Sequence, residues 1–448
     1  MAQRTLQPLV APALIAVLYT ILFFAIDHSR WFPLQASNWG WKTSTLEAIS
    51  TGSAKRPIAY LMVGVSGLVL LTKRRRQDFR VHRGAASVFI LYVTWSWLSY
   101  FWADDPNLVL KRLASFTLLS LAAIALSRSF SERTFLLVAW AICSMFLAMG
   151  IISEWKLGTL GLPSSGYRFM GTLHPEGQGF NCGMMFLASV ANADVVKAPL
   201  SRLLFGSAAV GALTFLVFTG SRGPFAASLL AAGAYLLFTR KRVTVLQIAL
   251  LALFVVLLFL LLYGAWQVIE TLLLGRTEHI SSLTGRVPLW IECWRFVARR
   301  PLTGYGYNGF WTQEHAWEFS ESQDWVINSS HSMYVETALD LGLVGLALML
   351  TMLLIACKSG LRNLRIRPAH TTAFYLALLT FMCTDGLLSN LVVAGGFVTF
   401  VFFCAIFYLC HSESFVLQNQ CRSTPSKARY QTLWHPPMMV TPRRSPFC

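Results

Sequence analysis

Three polar residues stand out between long apolar stretches: Arg222 in GSRG, Arg286 in TGR and His331 in SSHSMY. A guanidinium stays charged and forks onto two phosphate oxygens, so two of them can hold a diphosphate without a metal. A histidine can accept a proton near neutral pH. Taken singly, each has a plainer use. An arginine at the edge of an apolar stretch anchors at lipid headgroups by snorkelling, and a lone loop histidine is polar surface. Taken together they describe chemistry on a phosphorylated substrate, provided the chain brings them to one place.

The elements that must do so are membrane spans. Of 448 residues, 55% are hydrophobic and 13% charged, and mean hydropathy is +0.55. That charged fraction is about half of what a soluble domain carries, which excludes a water-soluble enzyme. Apolar windows long enough to cross a ~30 Å hydrocarbon core recur near 9–26, 57–72, 85–102, 108–126, 135–153, 179–196, 203–219, 224–238, 243–263, 334–356, 372–389 and 391–410. The expected fold class is all-α: a polytopic membrane protein with about 12 transmembrane helices in one domain over 1–411. Leu9–Ile26 is followed by IDHSRW instead of a cleavage site and reads as a retained first span.

The charges set the orientation. The segments 73–83, 127–133, 197–202, 239–242, 357–367 and the tail hold most of the 37 Lys and Arg, whereas the turn ADDPN (103–107) has none. The positive-inside rule then puts both termini in the cytoplasm and 264–333 outside as one long periplasmic loop. The net charge of +17 is thus a topology signal, not a nucleic-acid patch. The tail 412–448 is polar, Pro-containing and aperiodic, as a disordered cytoplasmic end would be. Nine cysteines without a CxxC pair read as small buried hydrophobes.

Three outer segments can carry function: the Gly-rich 154–178, TGSRGP at 219–224, and 264–333, which is rich in Trp, Tyr and Phe. Within the last, Arg286–Arg300 places Leu289, Trp290, Cys293, Trp294 and Val297 on one helical face. That face predicts a short amphipathic helix lying at the outer interface or, alternatively, packed on neighbouring loops. Pro301 stops the helix, and GYGYNG (304–309) predicts a flexible turn.

His331 and Ser332 are followed by nine residues, Gly342, two residues and Gly345. In this spacing, with the long outer loop before it and the upstream GR…W…RPLTGYG segment, the chain resembles the O-antigen ligase and O-antigen or exopolysaccharide polymerase superfamily. The resemblance covers most of the chain and is densest from Gly166 to Gly345. It implies a C-type glycosyltransferase membrane fold in the bacterial inner membrane, with the active site facing the periplasm. It also implies transfer of a glycan from an undecaprenyl diphosphate carrier to a glycan or lipid A core acceptor. His331 maps onto the base that deprotonates the acceptor hydroxyl, and Arg222 and Arg286 map onto the diphosphate binders. No cofactor and no metal are implied, and the reaction is a single inverting displacement.

Further donor-binding candidates are Arg168 and His174 in YRFMGTLHPEGQG, and Lys111 with Arg112 one turn below the outer end of the fourth span. Family members often end the former segment in Pro-Asn; this chain has Pro175-Glu176. Competing functions are a polytopic transporter and a metal-dependent oligosaccharyltransferase holding a divalent cation on Asp104 and Asp105. Against the first, the 243–263 window is uncharged and no internal repeat is evident. Against the second, adjacent acids before a proline are an ordinary helix-start signal. Between a ligase and a polymerase the motif is silent, with a slight lean to exopolysaccharide polymerase.

Overall fold

The computed structural model describes residues 3–28, 55–73, 81–161, 167–239, 286–321, 327–366 and 369–411. The expected span 243–263 and the tail 412–448 lie outside these residues. The described chain is helical, with one isolated bridge between Val81 and His411. The helices are α1 (Gln3–Asp27), α2 (Lys55–Lys73), α3 (Arg83–Leu98), α4 (Pro106–Ser129), α5 (Glu132–Leu157), α6 (Pro175–Val195), α7 (Pro199–Phe218) and α8 (Arg222–Phe238). From Arg286 onward follow α9 (Arg286–Arg299), α10 (Gln313–Glu321), α11 (Met333–Ile366), α12 (His370–Asp385) and α13 (Phe397–Leu409). The apolar windows, 243–263 aside, fall on these helices. Among the described residues, seven helical stretches are long and apolar enough to cross a membrane: α1, α2, α3 with its 3-10 extension to Trp102, α4, α5, α7 and α11. The chain is a multi-pass membrane protein.

Local chemistry sets the helix ends. Asp105 caps α4 by accepting from the Leu108 amide at 3.0 Å, with Pro106 in the first turn. Ser131 caps α5 through the Thr134 amide, and Gly158, at φ 66°, ends it in the left-handed conformation. α13 is apolar all round and buried over nearly its whole length, as such a helix must be. At about 1.5 Å per residue, its 13 residues fall short of the hydrocarbon thickness. It is a central post against which α1, α4, α11 and α12 pack in a main apolar core, with Phe23 in ring contact with Phe397 and Phe400.

α11 is broken. Gly342 has φ 67° and ψ −172° inside it, so the helix restarts after about two and a half turns. The carbonyls freed by the break are taken by other segments. Leu339 accepts from the Tyr305 amide at 2.9 Å, Asp340 from the Gly306 amide at 2.8 Å, and Leu341 from the Trp95 indole at 2.9 Å. The Leu343 amide donates in return to Pro301 at 2.7 Å. Backbone groups at membrane depth must find such partners inside the protein.

The loop ahead of α11 is therefore not loose. Contrary to the flexible turn expected of GYGYNG, Tyr305 and Tyr307 are buried and the segment is seated against the break. The face of α9 is covered too. Leu289, Cys293 and Val297 pack with Phe296, Phe310, Phe319 and Ile327 on the outer half of α11, while Trp294 is exposed. This is the packed alternative for that helix. Periodicity finds an apolar face but not its partner, and here the partner is the aromatic stretch that follows in sequence.

Candidate functional site

The site forms at one end of the bundle, where residues 167–175, 219–222 and 327–333 meet the start of α6, α9 and the end of α12. The carboxylate of Glu154, in the last turn of α5, accepts from the amides of Met170 and Gly171 at 2.8 and 2.7 Å and from the Tyr167 hydroxyl at 2.6 Å. That folds the segment leading to α6 back across the bundle. Arg168 then ties it to the TGSRGP turn, donating from Nε to Thr219 at 2.8 Å and from Nη2 to Ser221 at 3.2 Å. Ser221 in turn donates to the Pro175 carbonyl at 2.9 Å. Gly220, at φ 60°, lets the turn pass under the Arg168 side chain.

His174 is the N-cap of α6. Its Nδ1 accepts from the Glu176 amide at 3.4 Å, which requires that nitrogen to be unprotonated. Burial pushes this histidine below its ordinary value, so it stays neutral in that role.

Glu176 is the centre of the site. Its Oε1 lies 3.5 Å from Nη2 of Arg286, and its Oε2 lies 3.8 Å from Nδ1 of His331. All three side chains are about one fifth exposed. Burial pushes the Glu176 carboxyl up, but His331, Arg286 and His174 outweigh burial and hold it below the ordinary carboxylate range.

His331 stands just before α11 with φ 51°, a conformation uncommon for a residue with a side chain. It is held from both sides. Ser330 donates from its amide and hydroxyl to the buried Glu336 at 2.8 and 2.6 Å, and its carbonyl accepts from the Trp290 indole at 2.8 Å. On the other side the Met333 amide donates to Gly386 and Ser389 at 2.8 and 2.9 Å. Trp290 follows Arg286 by one helical turn, so α9 fixes both the histidine strap and its cation.

The remaining sequence candidates divide. Arg222 is the exposed first residue of α8. Its neighbour Gly223 faces Asp385, to which an added Cβ would come within 3.2 Å. Lys111 is exposed, whereas Arg112 is half-buried and feels the charge of the buried Asp340 and Glu336. Asp104 pairs with Arg300 at 2.8 Å and Asp105 caps α4, so both acids serve the turn in which they sit. Sequence reasoning missed Glu176, Glu154, Glu336 and Trp290. Pro-Glu in place of Pro-Asn marks the first. An acid inside an otherwise apolar window marks Glu336, and an acid at the edge of one marks Glu154.

Residues 207–350 match the O-antigen ligase family. Over this domain the chain is similar to the O-antigen ligases. Arg222, Arg286, His331, Gly342 and Gly345 lie inside the matched domain, while Glu176, His174, Arg168, Lys111 and Arg112 come before it in sequence. The chain is also 34% identical over 99 residues to the exopolysaccharide production protein ExoQ of Rhizobium meliloti (strain 1021). That match covers 20% of this chain and 21% of the relative, so the chain spans about a fifth of the length of the curated relative it matches. In this domain and in its apolar helices the chain is similar to the O-antigen ligase and polymerase superfamily.

Proposed function

We propose that this protein is a membrane glycosyltransferase of surface polysaccharide synthesis. It moves a glycan from an undecaprenyl diphosphate carrier to an acceptor hydroxyl at the periplasmic face of the inner membrane. The observation that carries the reading is the shared carboxylate: Glu176 lies 3.5 Å from Arg286 and 3.8 Å from His331, so a forked cation and a proton acceptor meet at one carboxyl. Both belong to the matched domain.

In this reading Arg286 and Arg222 grip the donor diphosphate. Negative charge builds on the leaving diphosphate as the glycosidic C–O bond breaks, and cations fixed in place lower the barrier most there. His331 takes the proton of the acceptor hydroxyl, whose oxygen attacks from the opposite face, and the anomeric configuration inverts. The carriers of charge are the protein's own arginines, and the reaction proceeds without a metal. The acceptor we favour is a second lipid-linked glycan, as in an exopolysaccharide polymerase, in keeping with the name of the matched relative. A lipid A core acceptor would make the protein a ligase.

The purified protein should transfer glycan from an undecaprenyl diphosphate donor in the presence of EDTA. Inactivation by EDTA with recovery in magnesium or manganese would overturn the metal-free mechanism. Deletion of the gene separates the acceptors: loss of secreted polymer with single-repeat lipopolysaccharide retained marks a polymerase, and loss of capped lipopolysaccharide with accumulation of lipid-linked polymer marks a ligase.

A further inference from the structure

Glu176 takes no part in the reaction as proposed above, yet it is the side chain around which the site closes. It stands at the start of α6, where the N-terminal helix dipole favours a carboxylate. One oxygen is given to each of Arg286 and His331. Its Oε2 faces Nδ1 of the imidazole at 3.8 Å. Other charged and titratable groups surround the pair: His174 and Arg168 from the segment before α6, Arg286 from α9, Glu336 from α11 and Asp385 from the end of α12. Of these, Glu336 is already committed to Ser330.

We propose that Glu176 is the positioning residue of His331: it holds the ring with Nδ1–H turned to the carboxylate and stabilises the imidazolium that forms during transfer. This rests on His331 being the base. The acceptor O–H bond breaks and its proton goes to Nε2. The acceptor oxygen forms the new bond to the anomeric carbon, and the diphosphate leaves with the electron pair of the broken C–O bond. Glu176 keeps its charge throughout. In the resting site it also neutralises Arg286, so an arriving diphosphate competes with it for that guanidinium and, on binding, leaves the carboxylate to the histidine alone.

The two uses of Glu176 give opposite signs in kinetics, which a merely structural residue would not. Glu176→Gln keeps the shape and removes the charge. In the full-length protein with an undecaprenyl diphosphate donor it should lower kcat roughly tenfold to hundredfold, part of the ~10²–10⁴ that a general base contributes. The donor KM should stay level or fall, because Arg286 no longer has a competing anion. Glu176→Asp, which retains the charge, should keep kcat within a few-fold of wild type. An unchanged kcat in Glu176→Gln overturns the proposal, as does a raised donor KM with kcat intact. If Glu176→Gln does not accumulate, Glu176→Asp decides alone: a loss of kcat beyond tenfold overturns it. His331→Ala separates this from the parent reading. Activity in His331→Ala removes the base itself, whereas an inactive His331→Ala beside a fully active Glu176→Gln removes only the role of Glu176.

Discussion

At His331 a backbone that an L-residue rarely adopts coincides with the side chain assigned to the chemistry. A left-handed residue other than glycine costs about 1–3 kcal/mol, and such costs persist where the surroundings over-determine the geometry. Here Ser330, Met333 and Trp290 do so. His331→Gly should therefore be at least as stable as His331→Ala when thermal midpoints are compared in detergent, and both should lack transfer activity. For the cations, Arg286→Lys and Arg222→Lys keep charge but lose the fork. Loss of one transition-state contact costs about 10²–10³ in rate, so both variants should fall well below wild type in an assay with purified protein; wild-type rates would return these residues to membrane anchoring. The pH dependence has a defined sign. The Glu176 carboxyl lies below its ordinary 4.5 in the folded protein, so its contribution to stability is complete above that pH and is lost as pH falls through the lowered value. His174, pushed below its ordinary 6.5, is protonated first in the unfolded chain, so stability declines as pH drops below 6.5 and levels off beneath the lowered value. Thermal midpoints should fall for wild type as pH drops from 7 to about 3, and the part of that decline below pH 4.5 should be smaller in Glu176→Gln.

Among the elements, α11 and the segment seated on its break show what spacing conveys and what it leaves out. The nine residues between Ser332 and Gly342 are legible as a pattern, and so is the apolar stripe on either side. The reason for the first glycine is not. It is a close approach of main chains: a Cβ on Gly342 would come within 2.3 Å of the Leu302 carbonyl carbon and oxygen, in a residue already at φ 67°. Gly342→Ala should therefore lower the thermal midpoint sharply and abolish activity, strain alone costing about 1–3 kcal/mol before the clash is counted. Gly211→Ala, where an added Cβ meets nothing within 4 Å, is the matched control. Size-exclusion of heated detergent extracts measures both. The same limit explains α9. Its apolar face was readable from period alone, but which surface would cover it depends on where Tyr305, Phe310 and Phe319 are placed, and the aromatic content of that stretch gives no direction.

Over the whole molecule, the sequence order of the site residues hides their proximity. Helix class, the apolar windows and the three leading polar residues could be read because each depends on local composition or on short spacing. Glu176 could not, because its role arises from Arg286 and His331, which lie more than a hundred positions further along. The proposed orientation also belongs at this scale. Asn328 and Arg365 are both exposed and lie toward opposite ends of the α11 segment. On a cysteine-free background, an impermeant thiol reagent added outside intact cells should label a cysteine at 328 and not one at 365; the reverse pattern would remove the periplasmic site.

The break in α11 also bears on the order of assembly. Residues 301–306 receive the carbonyls of Leu339 and Asp340 and leave the ribosome before them. The acceptors released at Gly342 thus enter the bilayer with their donors already made, and no stretch of bare peptide has to wait in hydrocarbon. Reversing that order, as in a circular permutant that begins at Met333 and carries residues 286–309 at its far end, would expose those groups during synthesis. Such a permutant would preserve every contact of the finished protein and still be expected to insert poorly.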